Sequence, residues 1–276
     1  MEQILIPIEK DLEVFEVLID DFLETIKQDK VRSNFQAFFK ARGKYLRPSL
    51  LMLATGATVG DRSCFDEKLY KLGLIIELLH SASLVHDDIV DNDTMRRGEK
   101  TINQIFGNKI AVLAGDTLFS YAFKEVTLNY DVNYSVPITQ LSLDMCMAEL
   151  EQANEVDSLA SYMRVIQGKT AEFMAVSCEL GARYGGGSEE EIMRMRNIGL
   201  NIGMTYQMVD DLIDGDPNAL RFITDEDIQM SYQKTMTLLE ELKPSEYRSS
   251  MMMLLKFIVS MNDQCNVQVT QSAYQV

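Results

Sequence analysis

His86-Asp87-Asp88-Ile89-Val90-Asp91 places three carboxylates at the end of a strongly apolar, helix-like stretch, Leu69 to Val90. On a helix, Asp87 and Asp91 are four residues apart and share a face, with Asp88 beside them. Carboxylates at that spacing repel unless a cation joins them or water solvates them. One or two carboxylates together with substrate phosphates are the oxygen-rich surroundings that Mg²⁺ favours. Asp210-Asp211-Leu212-Ile213-Asp214 repeats the spacing after another apolar run, Ile198 to Val209. One such cluster reads equally well as a solvated acidic helix end. Two identical clusters on two apolar helices do not. Facing each other across a bundle, they would form a six-carboxylate cage for two or three Mg²⁺ ions and a diphosphate.

Cations follow the same logic. Arg42-Gly43-Lys44-Tyr45-Leu46-Arg47-Pro48 puts Lys44 and Arg47 at the predicted start of a helix, where an anion is welcome. An ordinary basic loop has the same composition. Arg96 and Arg97 closely follow the first acidic cluster. They suit bidentate capture of the diphosphate that the carboxylates hold through metal, or else local ion pairs with Asp87 to Asp91.

The elements that position these residues are helices. Apolar residues recur at three- and four-residue spacing, Pro is scarce (5 residues), and strand-like alternation is rare, so the chain reads as all-α. The spacing predicts helices over 8–29, 31–41, 49–58, 69–90, 108–127, 136–153, 158–182 and 188–213. The 276 residues, 46% hydrophobic, can bury a large core. They are read as a single domain, 1–276. The formal charge of −16 excludes nucleic acid as a natural partner. Cys64, Cys146, Cys178 and Cys265 are far apart and form no C-x-x-C pair, which argues against structural zinc or a disulfide framework and suits the reducing cytoplasm. Residues 1–10 lack a basic n-region, and Lys71, Glu77 and His80 interrupt the most apolar run. Neither a signal peptide nor a membrane span is expected.

Taken together, G-K-x-x-R-P (43–48), L-H-x-x-S-L-x-H-D-D-x-x-D (79–91), R-R-G (96–98), G-D (115–116), K-T-A (169–171) and Y-Q-x-x-D-D-x-x-D (206–214) resemble the trans-polyprenyl diphosphate synthases in motif, order and separation. The resemblance is dense over residues 8–215. It implies a helical bundle of the isoprenoid synthase type around a deep cavity, usually a homodimer. It implies Mg²⁺-dependent condensation of isopentenyl diphosphate with an allylic diphosphate. Asp87, Asp88 and Asp91 would hold metal on one side, and Asp210, Asp211 and Asp214 on the other. Arg96, Lys169, Thr170 and Gln207 would surround the allylic diphosphate; Gly43, Lys44, Arg47, His80 and Arg97 would bind isopentenyl diphosphate. Asp87, Asp88, Asp91, Arg96, Lys169 and Asp210 would carry the catalysis. His80 is expected to contact the anion and His86 to make a structural hydrogen bond. The released diphosphate is the expected proton acceptor.

Two further expectations concern product and completeness. Ala82 and Ser83 lie about one turn before Asp87, where short-chain members of that family commonly carry an aromatic residue. Two small residues leave the channel open, so the expected product has about twenty carbons or more. Phe119, Tyr121 or Phe123 is the alternative block. After Asp214 the lysine-containing segment of the family is missing, and an internal deletion near 215–228 is inferred, with Arg221 the only nearby substitute cation. Two other readings stand beside this one: a subunit of a heteromeric synthase, which the gap favours, and a class I terpene cyclase, which shares the D-D-x-x-D ionisation chemistry. The retained acidic clusters weigh against the first, and Lys44, Arg47, His80 and Arg97 against the second.

Overall fold

The apolar stretches fold as helices, and the only strands among the described residues are a two-residue pair. The computed structural model describes residues 2–40, 42–154 and 156–273, with side chains omitted for residue 2 and for 263–273. Side-chain packing after Asn262, where a loosely packed tail is expected, and the state of Cys265 lie outside the described residues. The backbone of the last helix continues to Ala273. Cys146 and Cys178 are free thiols. No helix among the described residues is long and apolar enough to cross a membrane.

The chain forms two compact units. The first comprises Glu9–Ser49 and Phe65–Thr139. It contains α1 (Glu9–Glu24), α2 (Asp29–Lys40), α4 (Glu67–Val90), the hairpin β1 (Met95–Arg96) and β2 (Glu99–Lys100), α5 (Ile102–Phe106) and α6 (Asn108–Asn129). The second comprises Met1–Ile8, Leu50–Cys64 and Gln140–Val276. It contains α8 (Leu159–Ile166), α9 (Glu172–Tyr184), α10 (Glu189–Asp214), α11 (Pro217–Phe222), α12 (Asp225–Glu240) and α13 (Glu246–Ala273). Helices α3 (Leu46–Val59) and α7 (Val132–Ala153) contribute residues to both units.

In the first unit, α4 is the long central helix. Asp66 starts it by accepting from the Leu69 N–H at 2.9 Å, which satisfies one of the donors orphaned at a helix start. Leu72, Ile76, Leu79 and Val85 are fully buried along it. On α1, Phe15 and Ile19 are buried as well, and Tyr70 donates to Asp11 across α1 and α4 at 2.7 Å.

In the second unit, α9 and α10 pack closely. Gly199 of α10 makes this possible: a Cβ there would lie 2.9 Å from Ala175 Cα and 2.9 Å from Cys178 Cβ of α9. A capping box formed by Ser188 and Glu191 starts α10. The helix predicted over 158–182 is interrupted. Residues Gln167–Ala171 form a π-helical turn between α8 and α9. Such turns insert a residue into the helical ladder and often mark functional positions. Here the turn carries Lys169 and Thr170.

Candidate active site

The first acidic cluster is the last turn of α4. Asp91 caps that helix, its N–H donating to the Asp87 carbonyl at 2.8 Å. The chain then turns back through β1 and β2, with Arg97 and Gly98 both at positive φ (52° and 80°), as a two-residue hairpin turn requires. The hairpin returns Arg96 to the cluster. Its Nε donates to Asp88 Oδ1 at 2.6 Å, and Asn103 donates from Nδ2 to the Asp88 and Asp93 carbonyls at 3.1 and 3.0 Å. Asp88 is buried, Asp87 half-buried and Asp91 exposed. Burial raises the Asp88 carboxyl above the usual range, opposed by the Arg96 guanidinium. Its second oxygen, Oδ2, is buried without a hydrogen-bond partner.

The cationic residues of the same unit form a second group. The Arg97 guanidinium lies on the backbone of Gly43; a Cβ there would be 2.6 Å from Nη1. Arg47, in the first turn of α3, has Nη1 3.0 Å from His80 Nε2. Arginine has no acceptor, so His80 Nε2 must be the acceptor, and the ring is neutral with its proton on Nδ1. Burial, then the charges of Arg47 and Arg97, hold the His80 pKa well below its ordinary value, which agrees with that tautomer. His80 therefore orients Arg47 through a hydrogen bond. Lys44 is exposed, and Arg42 is committed to Asp20 at 2.6 Å. His86 Nε2 lies 3.2 Å from the Val112 carbonyl. Ala82 is fully buried, and the Ser83 hydroxyl donates to the His80 carbonyl at 2.8 Å.

One residue of this group was passed over in the sequence as a mere interruption of the apolar run. Glu77 is buried, one turn before His80 on α4. Burial pushes its carboxyl up to about 7, against the pull of Arg47 and Arg97.

The second acidic cluster ends α10 in the other unit. Thr170 donates to Gln207 Oε1 at 2.6 Å, Gln207 Nε2 donates to Asp211 Oδ1 at 2.6 Å, and the Tyr162 hydroxyl donates to Asp211 Oδ2 at 2.8 Å. Burial raises the Asp211 carboxyl, and these two hydrogen bonds oppose the rise. Asp210 is half-buried and Asp214 exposed. Lys169 is drawn to α7, with Nζ 2.6 Å from Glu149 Oε1 and 2.8 Å from Gln152 Oε1. Tyr162, Lys169, Thr170, Gln207, Asp211 and Asp216 line a cavity of about 160 Å³. Arg221, the expected substitute cation, stacks over Phe222 at 4.8 Å from the ring centroid. Sequence reasoning also missed Tyr162 and Asp216, which accepts from Asn218 and Ala219 to start α11.

Both clusters fit a hard divalent cation in donor type: each is all oxygen, and each sits at a helix C-terminus, the negative end of the macrodipole. The unpartnered Asp88 Oδ2 adds a buried acceptor with unused capacity. Among the described residues, no three His, Cys, Asp or Glu side chains already converge into a closed cage.

Comparison with known proteins points one way. Residues 28–276 match the family model described as polyprenyl synthetase. A short chain isoprenyl diphosphate synthase of Methanothermobacter thermautotrophicus is 37% identical over 182 residues, 63% of this chain and 55% of that protein. Heptaprenyl diphosphate synthase component 2 of Bacillus subtilis is 32% identical over 205 residues, 70% of this chain and 58% of that protein. The chain thus spans about half the length of the curated relatives it matches. The crystal structure of a decaprenyl diphosphate synthase from Rhodobacter capsulatus shares the fold, with a TM-score of 0.83 at 22% identity, over 94% of this chain and 98% of that one. On the match over residues 28–276, the chain belongs to the polyprenyl synthetase family.

Proposed function

We propose that the chain is a prenyltransferase that condenses isopentenyl diphosphate with an allylic diphosphate. The observation that carries this reading is the repeated acidic ending of α4 and α10 in a chain of the polyprenyl synthetase family. Asp87, Asp88 and Asp91, and Asp210, Asp211 and Asp214, would hold Mg²⁺, two or three ions in all. When bound, Mg²⁺ supplies neutralisation of the charge that builds on the leaving diphosphate.

The side chains do the rest. Arg96, Lys169, Thr170 and Gln207 bind the allylic diphosphate, and departure of that group is favoured by cations already in place. For this, Lys169 exchanges its contacts to Glu149 and Gln152 for phosphate oxygens. Gly43, Lys44, Arg47 and Arg97 bind isopentenyl diphosphate, with His80 fixing Arg47. The allylic carbon–oxygen bond breaks, the alkene attacks the allylic cation, and one proton passes to the released diphosphate. Gln207 and Tyr162 occupy both oxygens of Asp211, so this carboxylate positions Gln207 as much as it serves metal.

The small side chains of Ala82 and Ser83, one turn before Asp87, support a product of about twenty carbons or longer. A cytoplasmic homodimer is the simplest assembly. A heteromer is the second reading, favoured by the likeness to a protein named as component 2 of a heptaprenyl diphosphate synthase. It is compatible with an internal deletion near 215–228.

Incubation with Mg²⁺, labelled isopentenyl diphosphate and allylic primers of five to twenty carbons tests the proposal. Elongated diphosphates are expected. Incorporation only after a second protein is added supports the heteromer. Hydrocarbon formed without isopentenyl diphosphate contradicts the transferase reading. Ala82→Phe should shorten the product; an unchanged product length contradicts the role of that turn.

A further inference from the structure

A buried carboxylate beside a site meant for a diphosphate is an oddity. It opposes the anion that Arg47 and Arg97 would attract. Glu77 is 5% exposed, so water contributes little to its charge. The positive charges that lower it are Arg47 from the first turn of α3 and Arg97 from the hairpin turn. Arg47 is held by His80, one turn along α4, and the Arg97 guanidinium lies beside Gly43.

Apart from Tyr45, charged groups on the neighbouring helices have partners of their own. Tyr45 faces it from the segment before α3, and its hydroxyl is pushed up to about 12, first by burial, so it stays neutral. His80 is neutral. On α1, Asp11 accepts from Tyr70 and Glu16 faces Arg42. On α6, Asp116 faces His86, and on α2 Lys40 pairs with Glu99. Glu77 is thus a buried carboxylate one helical turn from the histidine that holds Arg47.

We propose that Glu77 is a proton-exchanging counter-ion of Arg47 and Arg97. Its carboxylate balances the two guanidinium groups when no anion is present. It takes a proton from solvent when a diphosphate displaces it. The role deepens the assignment of these arginines to isopentenyl diphosphate and rests on it. Linkage then makes diphosphate affinity depend on pH. Above neutral pH each unit should weaken binding by up to about tenfold, since one proton must be supplied.

Calorimetric titration of the full chain with isopentenyl diphosphate alone, in EDTA at pH 8, measures this directly. No primer or metal is present, so nothing reacts. Two buffers of different ionisation enthalpy report the protons exchanged. The wild type should take up close to one proton per ligand. Glu77→Gln should bind with no uptake and with affinity flat between pH 7 and 9. Wild-type binding without proton uptake overturns the proposal and needs no variant to do so. Absence of any wild-type binding instead overturns the assignment of the arginines to isopentenyl diphosphate, and the proposal with it. Uptake that persists in a folded Glu77→Gln variant places the proton elsewhere and also overturns it.

Discussion

Replacing Gly43 with alanine separates the anion site from the fold. Gly43 is not at positive φ, so the backbone accepts a side chain there. The three atoms nearest the added Cβ all belong to the tip of Arg97, at 2.6 Å for Nη1 and 3.0 Å for Cζ and Nη2. Ordinary contact begins at 3.4 Å, so Nη1 must withdraw by about 0.8 Å. Arg97 is exposed and flexible enough to do so without disturbing the core. A hydrogen bond to a charged group contributes about 1.5–3 kcal/mol, and a shift approaching 1 Å removes much of it. The expected result is a roughly 10- to 100-fold rise in KM for isopentenyl diphosphate. The KM for the allylic primer and kcat at saturation should stay within about twofold. Stability should be unchanged or higher by up to about 1 kcal/mol, because alanine restricts the unfolded chain. Steady-state kinetics with each substrate varied, and urea unfolding, measure these quantities. Arg97→Ala should reproduce the KM effect, and the double variant should be no worse than Arg97→Ala alone. An unchanged KM, or a fully additive double variant, refutes the reasoning.

Two predictions concern stability. Gly181 of α9 should not tolerate alanine: the Cβ would collide with the Leu51 carbonyl oxygen and lie 2.9 Å from Ala54 Cβ on α3. Backbone must move there, so a loss of about 1–3 kcal/mol and a lower Tm are expected, whereas an unchanged Tm contradicts that packing. The second concerns pH. The Glu77 carboxyl is raised from 4.5 to about 7 in the folded chain, so the folded state holds this proton after the unfolded state has lost it. The stability associated with that proton is complete below about pH 4.5 and is lost as pH rises through about 7. Relative to Glu77→Gln, the wild type should lose about 3 kcal/mol across that window in urea unfolding. A constant difference between the two curves contradicts the burial of an ionisable Glu77.

The legible part of the site is the part written in local spacing. Asp87 to Asp91 and Asp210 to Asp214 end their helices where the apolar runs end, because periodicity and terminus coincide there. The hairpin that returns Arg96 to Asp88 was not legible, since two-residue strands leave no alternation to detect. The π-turn at Gln167–Ala171 was hidden because apolar spacing runs on through α8 and α9. Pairings such as Lys169 with Glu149, or Tyr162 with Asp211, join residues far apart in sequence. Glu77 was visible only as a break in an apolar run, and its meaning depends on Arg47 and Arg97 lying near it. The charge that looked like a defect in a core helix is a consequence of what folds against it.

The most direct measurement is diphosphate release from an allylic primer and isopentenyl diphosphate, with Mg²⁺, by the wild type, Asp87→Asn and Asp210→Asn. Each substitution should lower kcat by about a hundredfold or more while leaving helical content and Tm intact. Near-wild-type release by either variant would contradict the claim that both acidic helix ends carry the reaction.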